Sequence, residues 1–383
     1  MAQRRNDIDW LRILAVLLLF DFHTAMVLNH YNYYVKNDPP SMLASVFVSL
    51  VHQWHMPLLF LLSGMSTYYA LGLRSGRQYL KERFKRLLVP LAFGTLVLVP
   101  PQVYFHLRCQ PDYHASFLTF YPQFFNGFSP AGNFEWGHLW FLAYLVVFSL
   151  LALPFFLYVR KGRGETWTAK LAAVCCVPGA LFVFAVPLGL TEAVFRPHWP
   201  GYQNLVDDWA NFFFYLQFFV YGFLLCSHEG MRKAVDRHLR LAITVALVGM
   251  SAFIGLGLLG VDVPRGYTWD YLLLQFGRGI NSWAWVLMLL GLGQRYLTFD
   301  DGIALPYARV AAYPVYILHQ TFIVWIAFYV VQWHTGAFAK FIVIGLGAFA
   351  CTMLTYDLCV RRARASRFLF GMKPDKRPRR PAS

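Results

Sequence analysis

Apolar residues run along this chain in long blocks, separated by short stretches rich in Lys, Arg, Pro and Gly. Ten blocks are long enough to cross a bilayer core of about 30 Å, which takes roughly 20 residues as helix. They lie at 10–30, 42–72, 87–107, 138–159, 169–190, 210–227, 239–261, 270–292, 311–333 and 338–360. The pattern predicts an all-α fold, a polytopic transmembrane helical bundle of about ten spans occupying residues 1–360. A basic tail at 361–383 reads as a disordered anchor on the lipid surface. No internal repeat is evident. The segments 108–137 and 191–209 are aromatic and rich in Pro and Gly, long enough to line a binding mouth and too short to be domains.

Composition narrows the class. With 58% hydrophobic and only 14% charged residues, a soluble core could not absorb the apolar surface, and 18% aromatic residues exclude low-complexity disorder. The net charge of +15 is not a nucleic-acid signature, because the cations sit in short segments between apolar blocks. With the N-terminus placed in the cytoplasm, 28 of the 34 Lys and Arg fall on the cytoplasmic side, five outside, and Arg278 within a span. That bias and the even span count predict cytoplasmic termini. The first block resembles a signal peptide, but Asp21 and His23 interrupt it and no small-residue cleavage site follows, so a retained helix is predicted. Six cysteines without a Cys-x-x-Cys spacing predict neither a disulfide framework nor a zinc cluster.

Ionisable residues within spans cost roughly 2.5–3.5 kcal/mol each on insertion scales, so each calls for a reason. Arg12 and His23 share one face of the first helix, about 16 Å apart along its axis. Arg12 is either a cytoplasmic anchor or an anion ligand. His23 is either an interhelical hydrogen-bond partner or a proton-transfer group, the role imidazole fills near neutral pH. Arg83 and Arg86, in the most cationic loop, are three apart and suited to grip one phosphate, or simply hold the loop in the cytoplasm. Tyr316 and His319 pair on one face of the ninth span. Arg278, with Gln275 and Asn281 on its face, must meet an anion, a carboxylate or water. His52 and His55 supply two ligands, which do not make a metal site. Glu135, His138 and Trp140 cluster with other aromatics at the predicted outer mouth, equipment for holding a sugar, although Trp and Tyr collect at every membrane interface.

In order and position, several of these segments resemble the acyltransferase family 3 membrane proteins. They are Asp7-Ile-Asp-Trp-Leu-Arg12 followed by His23, Met56 to Gly64, Arg83-x-x-Arg86, His138-Leu-Trp-Phe-Leu142 and Tyr313 to His319. The stretch from His55 through Arg77 and on to Pro90 resembles the glucan biosynthesis protein C type, whose members are associated with succinylating periplasmic glucans. Ala312 departs from a serine common in the family, and the sequence carries no further catalytic domain after the tenth span, so transfer is expected within the membrane.

The resemblance implies a multi-pass enzyme of the bacterial inner membrane. It would move an acyl group, succinyl or acetyl, from cytoplasmic acyl-CoA to a hydroxyl of a periplasmic or cell-surface glycan, with no metal. His23, His319 and Arg278 would be catalytic, with His23 as general base and Arg278 or a tyrosine steadying the oxyanion. Arg12, Arg83 and Arg86 would bind the phosphates of acyl-CoA, and Glu135, His138, Trp140 and Tyr316 the acceptor. A transporter of an anionic solute or lipid-linked sugar past Arg278 is the rival reading, and a non-catalytic assembly subunit a weaker one.

Overall fold

The computed structural model describes residues 5–300 and 302–373, and these are nearly all helical, with no strand and one isolated bridge between Phe128 and Phe134. The helices are α1 (Asn6–Leu28), α2 (Met42–His52), α3 (His55–Leu73), α4 (Gly76–Val97), α5 (Val99–Arg108) and α6 (Phe117–Gln123). They continue with α7 (Trp140–Val159), α8 (Arg163–Cys175), α9 (Ala185–Phe195), α10 (Trp209–Ser227) and α11 (Glu229–Arg237). The last are α12 (Leu239–Leu258), α13 (Trp269–Tyr296), α14 (Ala304–Val330), α15 (Ala337–Thr355) and α16 (Arg364–Leu369). Within the predicted tail, residues 364–369 are therefore helical, and residues 374–383 lie outside the described residues.

Among the described residues, eight segments are long and apolar enough to cross a membrane, against about ten predicted. The predicted fifth span is a broken one: Gly164–Cys175 and Ala180–Phe195 meet at 116°, and pass only as a pair. The predicted eighth is α13, long enough at 28 residues but diluted by Asp270, Gln275, Arg278 and Asn281. The third segment runs from Gly76 to Arg108, so Arg77, Lys81, Arg83, Lys85 and Arg86 lie on a helix rather than in the predicted loop.

The chain forms two compact units. The first comprises Met1–Ala15, Met42–Lys81 and Ala143–Leu305. Its tightest helix pair is α3 with α10, where glycines let backbones touch: a Cβ on Gly64 would lie 1.9 Å from the Phe219 carbonyl oxygen, and one on Gly222 1.9 Å from that of Leu61. Gly64→Ala is therefore expected to cost about 1–3 kcal/mol, because two main chains must separate to admit the methyl group. Unfolding of the purified variant in detergent measures this, and a melting temperature equal to wild type would contradict the packing.

The second unit comprises Val16–Ser41, Glu82–Leu142 and Pro306–Ser383. Here prolines break the helical ladder and side chains fill the gaps. Pro90 cannot donate to the Arg86 carbonyl one turn earlier, and the Tyr313 hydroxyl from α14 does so instead at 2.6 Å. Pro100 likewise leaves the Leu96 carbonyl free, and it accepts from the Tyr121 hydroxyl at 2.9 Å. The Lys36 ammonium closes the C-terminal end of α1, donating to the Met26 and Asn29 carbonyls at 2.8 and 2.5 Å, where the helix dipole favours a cation.

Candidate active site

The second unit gathers three imidazoles from distant parts of the chain. His23 on α1 and His319 on α14 have ring centroids 5.2 Å apart, and His319 and His138 5.1 Å apart. His319 is completely buried and His138 nearly so, while His23 is half-buried. Each ring is held by its neighbours. His319 Nδ1 lies 2.7 Å from the Tyr316 carbonyl, so Nδ1 carries the hydrogen and Nε2 the lone pair. His138 Nε2 donates to the Ile317 carbonyl at 3.0 Å, leaving Nδ1 as its acceptor nitrogen. The Tyr316 hydroxyl donates to the His138 carbonyl at 2.6 Å, so residue 138 and α14 clamp each other. Phe20 packs edge-on to His319. His23 Nδ1 meets the Tyr33 hydroxyl at 3.3 Å.

Next to Tyr33, the chain reaches a carboxylate. The adjacent Tyr34 donates through its hydroxyl to Glu135, and the Tyr34 carbonyl accepts from His106 Nδ1 at 2.9 Å. Burial raises the Glu135 pKa above the ordinary carboxylate range, against the opposing effect of the Tyr34 hydrogen bond. A raised folded-state pKa means the native state holds the proton more tightly. Its contribution to stability is present below the ordinary carboxylate pKa and is lost as pH rises towards the folded value. We expect the wild-type melting temperature to fall as pH rises above the ordinary carboxylate pKa and Glu135→Gln to flatten that slope, with parallel curves counting against it.

Three residues predicted to contact the acceptor lie elsewhere than at an open mouth. His138, Trp140 and Tyr316 are buried, and His138 Nε2 and the Tyr316 hydroxyl serve the clamp just described. Only Glu135 of that group sits at the end of the helices in half-open surroundings. Arg83 and Arg86 lie on α4 three residues apart, hence on one face. Arg86 Nε donates to the Gly371 carbonyl at 3.1 Å, and its own carbonyl carries the Tyr313 hydroxyl. Tyr313, Tyr316 and His319 follow at intervals of three along α14, a climb of about 9 Å from the arginine-bearing end to the imidazole cluster.

The first unit holds the other predicted residues. Arg12 braces α1 against α3: its Nη2 donates to Ser66 Oγ at 2.5 Å, and Nη1 lies 3.5 Å from Asp9. Arg278 meets a carboxylate, Glu192 on α9, at 3.5 Å. Glu192 is fully buried and also pairs bidentately with Arg196, at 2.5 and 3.1 Å. Arg278 thus has a buried acid as its counter-ion. Glu192 was missed because the predicted span ended at 190, although the Glu192-x-x-x-Arg196 spacing after an apolar run was a usable signal. Tyr33 was missed because nothing in its local pattern marks it. The imidazole of His55 donates to the Ala15 carbonyl at 2.7 Å, and among the described residues no three His, Cys, Asp or Glu side chains group to hold a metal. All six cysteines are free.

A family model described as an acyltransferase domain matches residues 5–357. The glucans biosynthesis protein C of Salmonella schwarzengrund (strain CVM19633) is 23% identical over 382 residues, covering 97% of this chain and 96% of that protein. Proteins of the same name from Salmonella paratyphi B and Salmonella enteritidis PT4 match to the same extent. No solved structure matches the chain. A match running across nearly all of a helical, span-rich chain places it plainly: the chain belongs to acyltransferase family 3 and is a membrane acyltransferase.

Proposed function

We propose that this acyltransferase moves a succinyl or acetyl group from cytoplasmic acyl-CoA to a hydroxyl of an extracytoplasmic glycan, across the bacterial inner membrane with both termini in the cytoplasm. The observation that carries the reading is the meeting of His23 with His319, beside Tyr33, where two candidate membrane-spanning helices pack. Imidazole is the group suited to take a proton from an alcohol near neutral pH. The relatives' name supports a glucan-related acceptor, and the cationic bias supports the orientation.

In this proposal Arg83 and Arg86 hold the phosphates of the donor. The pantetheine arm follows the Tyr313–Tyr316 face of α14 towards His319. The acceptor enters past Glu135 and Tyr34. His23 takes the hydroxyl proton as the oxygen bonds to the thioester carbon; the carbon–sulfur bond breaks, and the proton passes from His23 to the departing thiolate. His319, fixed through its Nδ1–H, orients and buffers His23. His138 and Tyr316 position His319 rather than touch the acceptor.

The deciding experiment places the purified protein in liposomes with acyl-CoA and a glucan on opposite sides. Acylated glucan and free CoA are expected in equal amounts. Solute flux with no CoA release would replace the reading with transport.

A further inference from the structure

At one end of the first unit, α8 and α11 pack side by side, although neither is long enough to cross a membrane. Gly230 at the start of α11 lies against Ala172 of α8, where a Cβ would be 3.1 Å from the alanine methyl. Cys176 Sγ reaches the Gly230 carbonyl at 3.4 Å, and Arg237 Nη1 donates to the Cys176 carbonyl at 2.5 Å. Beside this pair opens a recess of about 530 Å³, lined by Arg232, Lys233, Arg237 and Arg295 against only two carboxylates, Glu229 and Asp236. Asp236 is already engaged by Arg295 at 2.7 Å. Arg232 and Lys233 make no ion pair or hydrogen bond among the described residues, so the recess keeps a surplus of cation.

The neighbouring surface is apolar. Trp167, Val174 and Val177 are 40%, 57% and 55% exposed, on α8 and the turn that follows. Because α8 meets the next helix at 116°, it lies across the direction of that helix, as an interfacial helix lies in the plane of a membrane. A cationic recess bordered by exposed Trp and Val matches a molecule with a phosphate head and hydrocarbon tails. We infer that this recess binds an anionic phospholipid, with its phosphodiester at Arg232 and Lys233 and its chains along Val174, Val177 and Trp167. The site is independent of the acyl-transfer reading. Phosphate recognition draws on the same arginine chemistry whatever the source, but a nucleotide phosphate would leave the apolar border unused.

The full-length protein is reconstituted in nanodiscs of phosphatidylcholine with phosphatidylglycerol, and bound lipid is counted by native mass spectrometry. Wild type is expected to retain phosphatidylglycerol over phosphatidylcholine. The double variant Arg232→Gln, Lys233→Gln is expected to bind it roughly thirtyfold more weakly, at about one factor of five per cation. Arg240→Gln, an exposed cation outside the recess, should leave binding unchanged. Melting temperatures in pure phosphatidylcholine check folding, and where the double variant fails that check, Lys233→Gln alone is read for its fivefold loss. Retention equal to wild type in the folded variant, or an equal loss in Arg240→Gln, overturns the proposal. So does displacement of phosphatidylglycerol from wild type by adenosine 3′,5′-bisphosphate, which would assign the recess to a nucleotide.

Discussion

His23→Ala is expected to lower the turnover of acyl transfer about a hundred- to ten-thousand-fold, the range that loss of a positioned general base produces. KM for acyl-CoA should change little, because His23 meets the proton of the acceptor and not the phosphates of the donor. His319→Ala should show a loss of similar kind, since its ring lies 5.2 Å from that of His23 and is fixed by the bond to the Tyr316 carbonyl. Tyr33→Phe removes only the hydroxyl that meets His23 Nδ1 at 3.3 Å and should cost less. Each variant is measured by CoA release alongside its melting temperature. A His23→Ala protein that folds normally and keeps more than about a tenth of wild-type turnover would remove His23 from the chemistry.

Glu192→Ala should produce the largest loss of stability, on the order of 3–5 kcal/mol, because it strands buried cations that the carboxylate now neutralises. Arg196 is the main casualty. Its Nε and Nη2 both lie on Glu192, and its other donors reach the Pro200 carbonyl and Asn211 Oδ1 at 3.1 and 2.8 Å. Arg278, at 3.5 Å and 21% exposed, has a looser hold and some access to water. Glu192→Gln keeps an acceptor oxygen and should cost less. Thermal unfolding in detergent reads both, and a Glu192→Ala protein as stable as wild type would show that water or another anion already neutralises the arginines.

These two expectations were unequally legible in the sequence. His23 stood out because a titratable side chain interrupts an apolar run whose neighbours are Leu, Ala and Phe. Glu192 did not, because the break between 175 and 180 shifts the spanning part of that segment towards Arg196. Hydropathy alone cannot see such a break when the residues on both sides are apolar. Arg83 and Arg86 were expected in a loop, but α4 begins at Gly76, so these basic residues lie on a helix.

The helical, membrane-embedded character of the chain follows from its sequence alone, because within lipid each peptide group must find a hydrogen bond locally, and a helix supplies one residue by residue. Long apolar blocks then suffice to announce the spans. The environment of His23 was decided only by tertiary structure. Residues 23, 138 and 319 are far apart in the chain, and their meeting leaves no period that a single sequence displays. Side-chain complementarity between packed helices brings them together, as it turns Tyr316 into a clamp and Arg278 into a counter-ion.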